Sequence, residues 1–186
     1  MDPRKFNSHM HFFNETWAAK VLNMKINSKS GPDLIDDYKA LEVKFEKTRP
    51  GVNNHRCWKV LGHQLEYDKS HENIYWGLGF YELNINVKDV KKKNLNNLEK
   101  IVNYRELYIV NWDWMKQFPL YHQKGKTDIS EWDHFISYPK FKLIPDIISS
   151  KEVQNGKVFF TEGVNPKIFE PSEENAHQNT YKDAPF

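Results

Sequence analysis

The chemistry this sequence most readily offers sits in one short stretch. Asp33 follows Pro32, and after eight intervening residues come Glu42, Val43 and Lys44. If Asp33 and Glu42 lie on two strands joined by a tight turn, their carboxylates meet. Glu42 and Lys44 are two apart on one strand and project from the same face. Two carboxylates in a small space repel, and one of them is driven to hold its proton. A divalent cation removes that conflict. Mg²⁺ takes one or two carboxylates, keeps several waters and accepts phosphate oxygens. It also stabilises charge building on a phosphate and activates water. A lysine beside it acts as a point charge toward an attacking water or a phosphate oxygen. The alternative makes Glu42 and Lys44 the solvated face of an edge strand.

The surrounding pattern says which elements must position these groups. Residues 8–22 read as a helix with Phe13, Trp17 and Val21 in one stripe and Phe12, Ala19 and Leu22 beside it. A strand is expected over 21–26, then a turn at Ser28-Lys29-Ser30-Gly31-Pro32. Residues 33–36 and 40–46 form the strand pair, the second alternating Leu41, Val43, Phe45 against Glu42, Lys44, Glu46. Asp36 and Asp37 fall at the turn and compete with Asp33 as ligands. Residues 55–68 read as a helix with Cys57, Leu61 and Leu65 as its buried stripe, which makes Cys57 a packed small hydrophobe. Residues 74–87 read as a strand whose apolar phase slips once, the signature of a bulge. A short helix over 95–102 and strands over 106–112 and 157–161 follow.

This order of elements around Pro32-Asp33 and Glu42-Val43-Lys44 resembles the PD-(D/E)XK nuclease superfamily, over about the first half of the chain. The resemblance implies an α/β fold with a restriction-endonuclease-like core, helix-strand-strand-strand-helix-strand, and a mixed central sheet flanked by helices. It implies Asp33 and Glu42 as metal ligands, the Val43 carbonyl as a further ligand, and Lys44 as the catalytic lysine. Many members add a glutamate from the first helix, for which Glu15 stands in place; a surface salt bridge is the other reading of Glu15. Some use a glutamine on the helix after the Glu-x-Lys strand, which is the place of Gln64. The cofactor implied is Mg²⁺, with Mn²⁺ able to substitute.

The rest of the chain bears on substrate. Lys47, Arg49, His55, Arg56 and Lys59 gather around the expected site and suit a polyanionic backbone, so the expected partner is double-stranded or branched DNA. Arg105, Asn111, Gln117, Lys124 and Lys126 are candidate base readers. Trp112, Trp114, Tyr121, Trp132, Phe135 and Tyr138 either stack on bases or build the core of the second half. His9 and His11 read as exposed. The expected organisation is a nuclease core over 1–112, a C-terminal elaboration over 113–164 for specificity or dimer contacts, and a mobile tail over 165–186. The length beyond a minimal core favours a sequence-specific restriction-type endonuclease, working as a homodimer because both strands must be cut. A structure-selective nuclease (junction resolvase or repair enzyme) and a non-catalytic nucleic-acid-binding protein are the rivals.

Composition narrows the rest. Among 186 residues the net charge is +2 and aromatics reach 15%, too many for a disordered chain. No apolar run reaches the ~20 residues that span a bilayer. The first residues lack the basic-then-apolar order of a signal peptide, so a cytoplasmic setting in a prokaryote or virus is expected. The single cysteine, Cys57, rules out an internal disulfide and a Cys-based zinc site. Gly125-Lys126-Thr127 lacks the upstream glycine of a phosphate loop.

Overall fold

The computed structural model describes residues 3–47, 57–61, 73–86, 89–90, 97–115, 120–121, 133–137 and 147–170. The protein is α/β, with a mixed sheet of seven strands and few helices. A long helix, α1 (Pro3–Leu22), opens the chain. Three strands follow as an antiparallel meander: β1 (Lys25–Ile26), β2 (Leu34–Ile35) and β3 (Ala40–Lys47). The chain then contributes β4 (Cys57–Leu61) to another sheet and returns as β5 (Ile74–Leu83), parallel to β3. β6 (Val102–Val110) runs antiparallel to β5. A four-residue helix, α2 (Trp112–Met115), leads to the short β7 (Leu120–Tyr121) and β8 (Asp133–Ser137), which complete the small sheet in the order β4-β8-β7. Finally β9 (Ile147–Val153) and β10 (Gly156–Thr161) form a hairpin, and β10 lies parallel to β6. The main sheet therefore reads β1-β2-β3-β5-β6-β10-β9.

Both faces of the central strands are covered. On β3, Leu41, Val43 and Phe45 join Phe6, Met10, Trp17 and Leu22 of α1 in one core. On β5, Trp76, Leu78 and Phe80 point the other way, into a second core with Trp58 of β4 and Trp114 and Met115 of α2. This explains the two apolar phases of residues 74–87. The even residues fill one core and the odd residues the other. The bulge itself lies later, where the register with β6 shifts between Glu82 and Leu83.

The helix expected over 55–68 is corrected: residues 57–61 are strand β4, paired antiparallel with β8 from Cys57↔Ser137 to Leu61↔Asp133. A stretch as short as Cys57-Trp58-Lys59-Val60-Leu61 fits either period, and pairing with a distant strand decides it. Trp58 is fully buried, donates its indole N–H to the Gly79 carbonyl at 2.8 Å and packs on Phe80. α1 starts at Pro3 rather than Ser8, a residue suited to a first turn. Its buried stripe runs through Phe6, Met10, Asn14, Trp17 and Ala18, leaving Phe12 62% exposed. The strand expected over 106–112 begins at Val102 and ends at Val110, with Trp112 already in α2. From Asn165 onward, the part that is described is not a loose tail. Pro166–Phe169 is a short 3-10 helix capped by the Asn165 side chain, and Phe169 is buried against Phe160 and Tyr75.

Close packing between β3 and β5 depends on a missing side chain. Gly79 sits opposite Phe45, and a Cβ there would meet the Phe45 ring at 2.3–2.7 Å. Gly79→Ala must push that ring out of the α1 core. We expect a loss of about 1–3 kcal/mol, the usual cost of overpacking, read from urea denaturation.

A carboxylate-lysine cluster at a notch in the sheet

The site is built by a strand that stops early. Continuing the β2–β3 register from Leu34↔Leu41 would place Asp33 opposite Glu42 and Pro32 opposite Val43. Proline has no N–H to give the Val43 carbonyl, so the next rung cannot form. Instead the Asp33 side chain takes the rung: its Oδ2 accepts the Val43 N–H at 2.8 Å. The Pro32 carbonyl accepts the Asn27 amide at 3.0 Å, and the Asp33 carbonyl accepts the Asn27 N–H at 2.8 Å. Asp33 is thus fixed from both ends. The N–H and C=O of one strand residue point to the same side. The Val43 carbonyl therefore faces the same notch as Asp33.

Glu42 and Lys44 lie on the face of β3 that looks away from Leu41, Val43 and Phe45. The Lys44 ammonium forms an ion pair with Glu42 Oε1 and stands 3.9 Å from Asp33 Oδ2. Glu42 is only 2% exposed. Beside it in register is Trp76, also fully buried, whose indole N–H has no hydrogen-bond partner among the described residues. Burial above all pushes the Glu42 carboxyl up to about 7; Lys44 pulls it down, while the Asp33 and Glu15 carboxylates push it further up.

Glu15 is half-buried on α1. Its carboxyl is raised by burial and then by Asp33, against Lys44. It therefore belongs to the same electrostatic cluster as the three residues above. His11, one turn earlier on the helix, belongs to it as well. The surrounding protein and then the Lys44 ammonium hold its imidazole below the ordinary value, with Asp33 acting in the other sense. His11 keeps its expected solvent exposure, but its link to the cluster was missed. The available signal was its spacing of four from Glu15, which puts both on one helix face.

Other expected residues are distributed differently. Asp36 caps its own turn, accepting from the N–H groups of Tyr38 and Lys39 at 2.9 and 2.8 Å and pairing with the Lys39 ammonium. Strand alternation sets Lys47 on the Phe45 side, away from Lys44. Lys59 is on β4, in register with Phe135 of β8. Gln64, Arg49, His55 and Arg56 lie outside the described residues, as do Gln117, Lys124, Lys126, Trp132 and Tyr138. As base readers, Arg105 and Asn111 are corrected. Arg105 is fully buried beneath α1, and the Asn111 side chain accepts the Trp114 N–H at 3.0 Å to start α2. Trp112 and Trp114 belong to the second core.

The donors at the notch limit which metal could bind there. Among the described residues no three His, Cys, Asp or Glu side chains form a group able to hold a metal by themselves. What meets at the notch is two carboxylates sharing one ammonium, with a backbone carbonyl turned the same way. All-oxygen donors few in number fit a hard cation that keeps its own water, such as Mg²⁺, and not a zinc centre. No family model matches the chain, and no curated protein matches it. No helix among the described residues is long and apolar enough to cross a membrane.

Two outcomes test this geometry. Asp33→Asn keeps an acceptor for the Val43 N–H, whereas Asp33→Ala removes it and is expected to cost about 1–2 kcal/mol more in urea denaturation. The second is a pH effect. A buried carboxyl with its folded pKa near 7 and its unfolded value near 4.5 binds more protons folded than unfolded between those values. Stability therefore falls as pH rises through that window, by up to about 3 kcal/mol at about 1.4 kcal/mol per unit. Melting curves in chelator from pH 5 to 7.5 should show the fall, and Glu42→Gln should flatten it.

Proposed function

We propose that the chain is a Mg²⁺-dependent endodeoxyribonuclease that hydrolyses phosphodiester bonds in double-stranded DNA, of sequence-specific restriction type, and that it acts as a homodimer. One observation carries the reading: Asp33, held against the Val43 N–H, shares the Lys44 ammonium with a buried Glu42. Structural ion pairs gain little from being buried, so a carboxylate this deep beside two others points to chemistry. The meander β1-β2-β3 followed by a parallel β5 agrees with the PD-(D/E)XK resemblance. β4 departs from it, standing where that pattern has a helix.

In this reading Asp33 and Glu42 hold Mg²⁺, or Mn²⁺ in its place, with the Val43 carbonyl and Glu15 as further oxygen donors. The bound cation supplies Lewis-acid stabilisation of a phosphate and a more acidic water. Lys44 carries a point charge at the mouth of the cluster. Partly exposed, it donates to a phosphate oxygen or to the attacking water. The Val43 N–H keeps Asp33 from turning toward solvent. The aromatic cover over Glu42 excludes bulk water from that side of the cluster. Strands β6, β9 and β10 and the small sheet extend the chain well past the minimal core, which supports the restriction type. Two symmetric copies would cut the two antiparallel strands.

The test is cleavage of supercoiled plasmid with Mg²⁺ and with chelator. Glu42→Ala and Lys44→Ala are expected to lower the rate at least ~100-fold with melting curves that still show a cooperative fold. Full activity in either variant would sink the assignment. Discrete fragments from linear DNA support the restriction type; cutting confined to branched substrates supports resolution instead.

A further inference from the structure

A second cluster lies beneath α1, on the sheet face opposite Glu42 and Lys44. Arg105 of β6 is fully buried, as is Asn14 of α1. The Arg105 Nε donates to Asn14 Oδ1 at 2.9 Å. Both Nη groups of Arg105 and the Nδ2 of Asn14 are buried with no hydrogen-bond partner among the described residues. The guanidinium lies against the rings of Phe13 and Trp17, with its carbon 4.6 and 5.2 Å from their centroids. Behind it, β10 closes at Gly156, where a Cβ would stand 2.5 Å from the Arg105 carbonyl and 2.9 Å from Trp17.

This is a full positive charge in the interior. Burial lowers the Arg105 pKa to about 10, which leaves it protonated at neutral pH. Glu99 is the carboxylate whose field it feels, but Glu99 is exposed and accepts from the Asn155 amide at 3.3 Å. Stacked rings satisfy a guanidinium face and leave its in-plane N–H groups unmet. A buried ion is tolerated when it is paired and its donors are used.

The geometry points to a binding site for one small monovalent anion, of halide or carboxylate size, built from the Arg105 guanidinium and the Asn14 amide. The aromatic walls and the closure at Gly156 select a compact ligand. The single guanidinium charge selects a single negative one, since a second would itself go unpaired. Planar paired N–H donors suit a carboxylate in particular. The inference stands apart from the nuclease reading.

The experiment is thermal unfolding of the full chain in chelator at fixed ionic strength, exchanging gluconate for chloride or formate. A ligand bound only by the folded state raises the midpoint with its concentration. A rise of about 3 °C or more with formate or chloride is expected for the natural sequence. Asn14→Asp places a carboxylate on the guanidinium. It should melt higher than the natural sequence in gluconate and lose the response to formate. Arg105→Met should lose the response as well, and Asn14→Asp keeps the test decisive if Arg105→Met does not fold. A midpoint indifferent to the anion overturns the proposal. So does an unchanged response in Asn14→Asp, or an Asn14→Asp protein that melts lower in gluconate.

Discussion

The site depends on the early end of β2. A strand that ran two residues further would pair with Val43, close the sheet edge and leave Glu42 on a continuous surface. Pro32 prevents this because it has no N–H to offer. Asp33 makes the interruption tolerable because its side chain takes the amide that the missing rung would have orphaned. One residue pair therefore stops the strand, satisfies the exposed backbone and delivers a carboxylate to the opening. The Val43 carbonyl is left turned toward the same opening by strand geometry alone.

The protonation of the site follows from the second core. Trp58 reaches across from the small sheet and packs on Phe80, while Trp76 stands beside Glu42 in the sheet. These rings take water away from the Glu42 side of β3. Loss of water raises the Glu42 carboxyl, and the nearby Asp33 and Glu15 charges raise it further. The Lys44 ammonium opposes them. The same burial that stabilises the sheet thus favours the protonated form of Glu42.

What could be read from the sequence was what repeats locally. The alternation of Leu41, Val43 and Phe45 against Glu42 and Lys44 gave both the strand and the shared face of the charged pair. Asp33 was legible as a residue type at a useful spacing. Its bond to Val43 was not, because it follows from where β2 ends. Residues 57–61 misled because Cys57 and Leu61 fit a helical stripe as well as a strand, and their partner β8 lies more than 70 residues further on. Arg105 looked like a surface base reader because arginine is seldom buried. Only the fold brings Asn14 to it, 91 positions away in the chain.

The two clusters are tied through α1. Successive residues on a helix are turned by about 100°, so Asn14 and Glu15 necessarily look in different directions. Asn14 is fixed inward by its bond to Arg105, and Trp17 is fixed by donating its indole N–H to the Gln154 carbonyl at 3.0 Å. Two anchors one turn apart leave the helix no freedom to rotate about its axis. With that rotation set, Glu15 and His11 share the face that senses Asp33 and Lys44. Rolling α1 by one residue would carry the Glu15 carboxylate toward the buried guanidinium and withdraw it from the notch. The polar contact on the closed side of the sheet therefore decides which charge α1 presents to the open side.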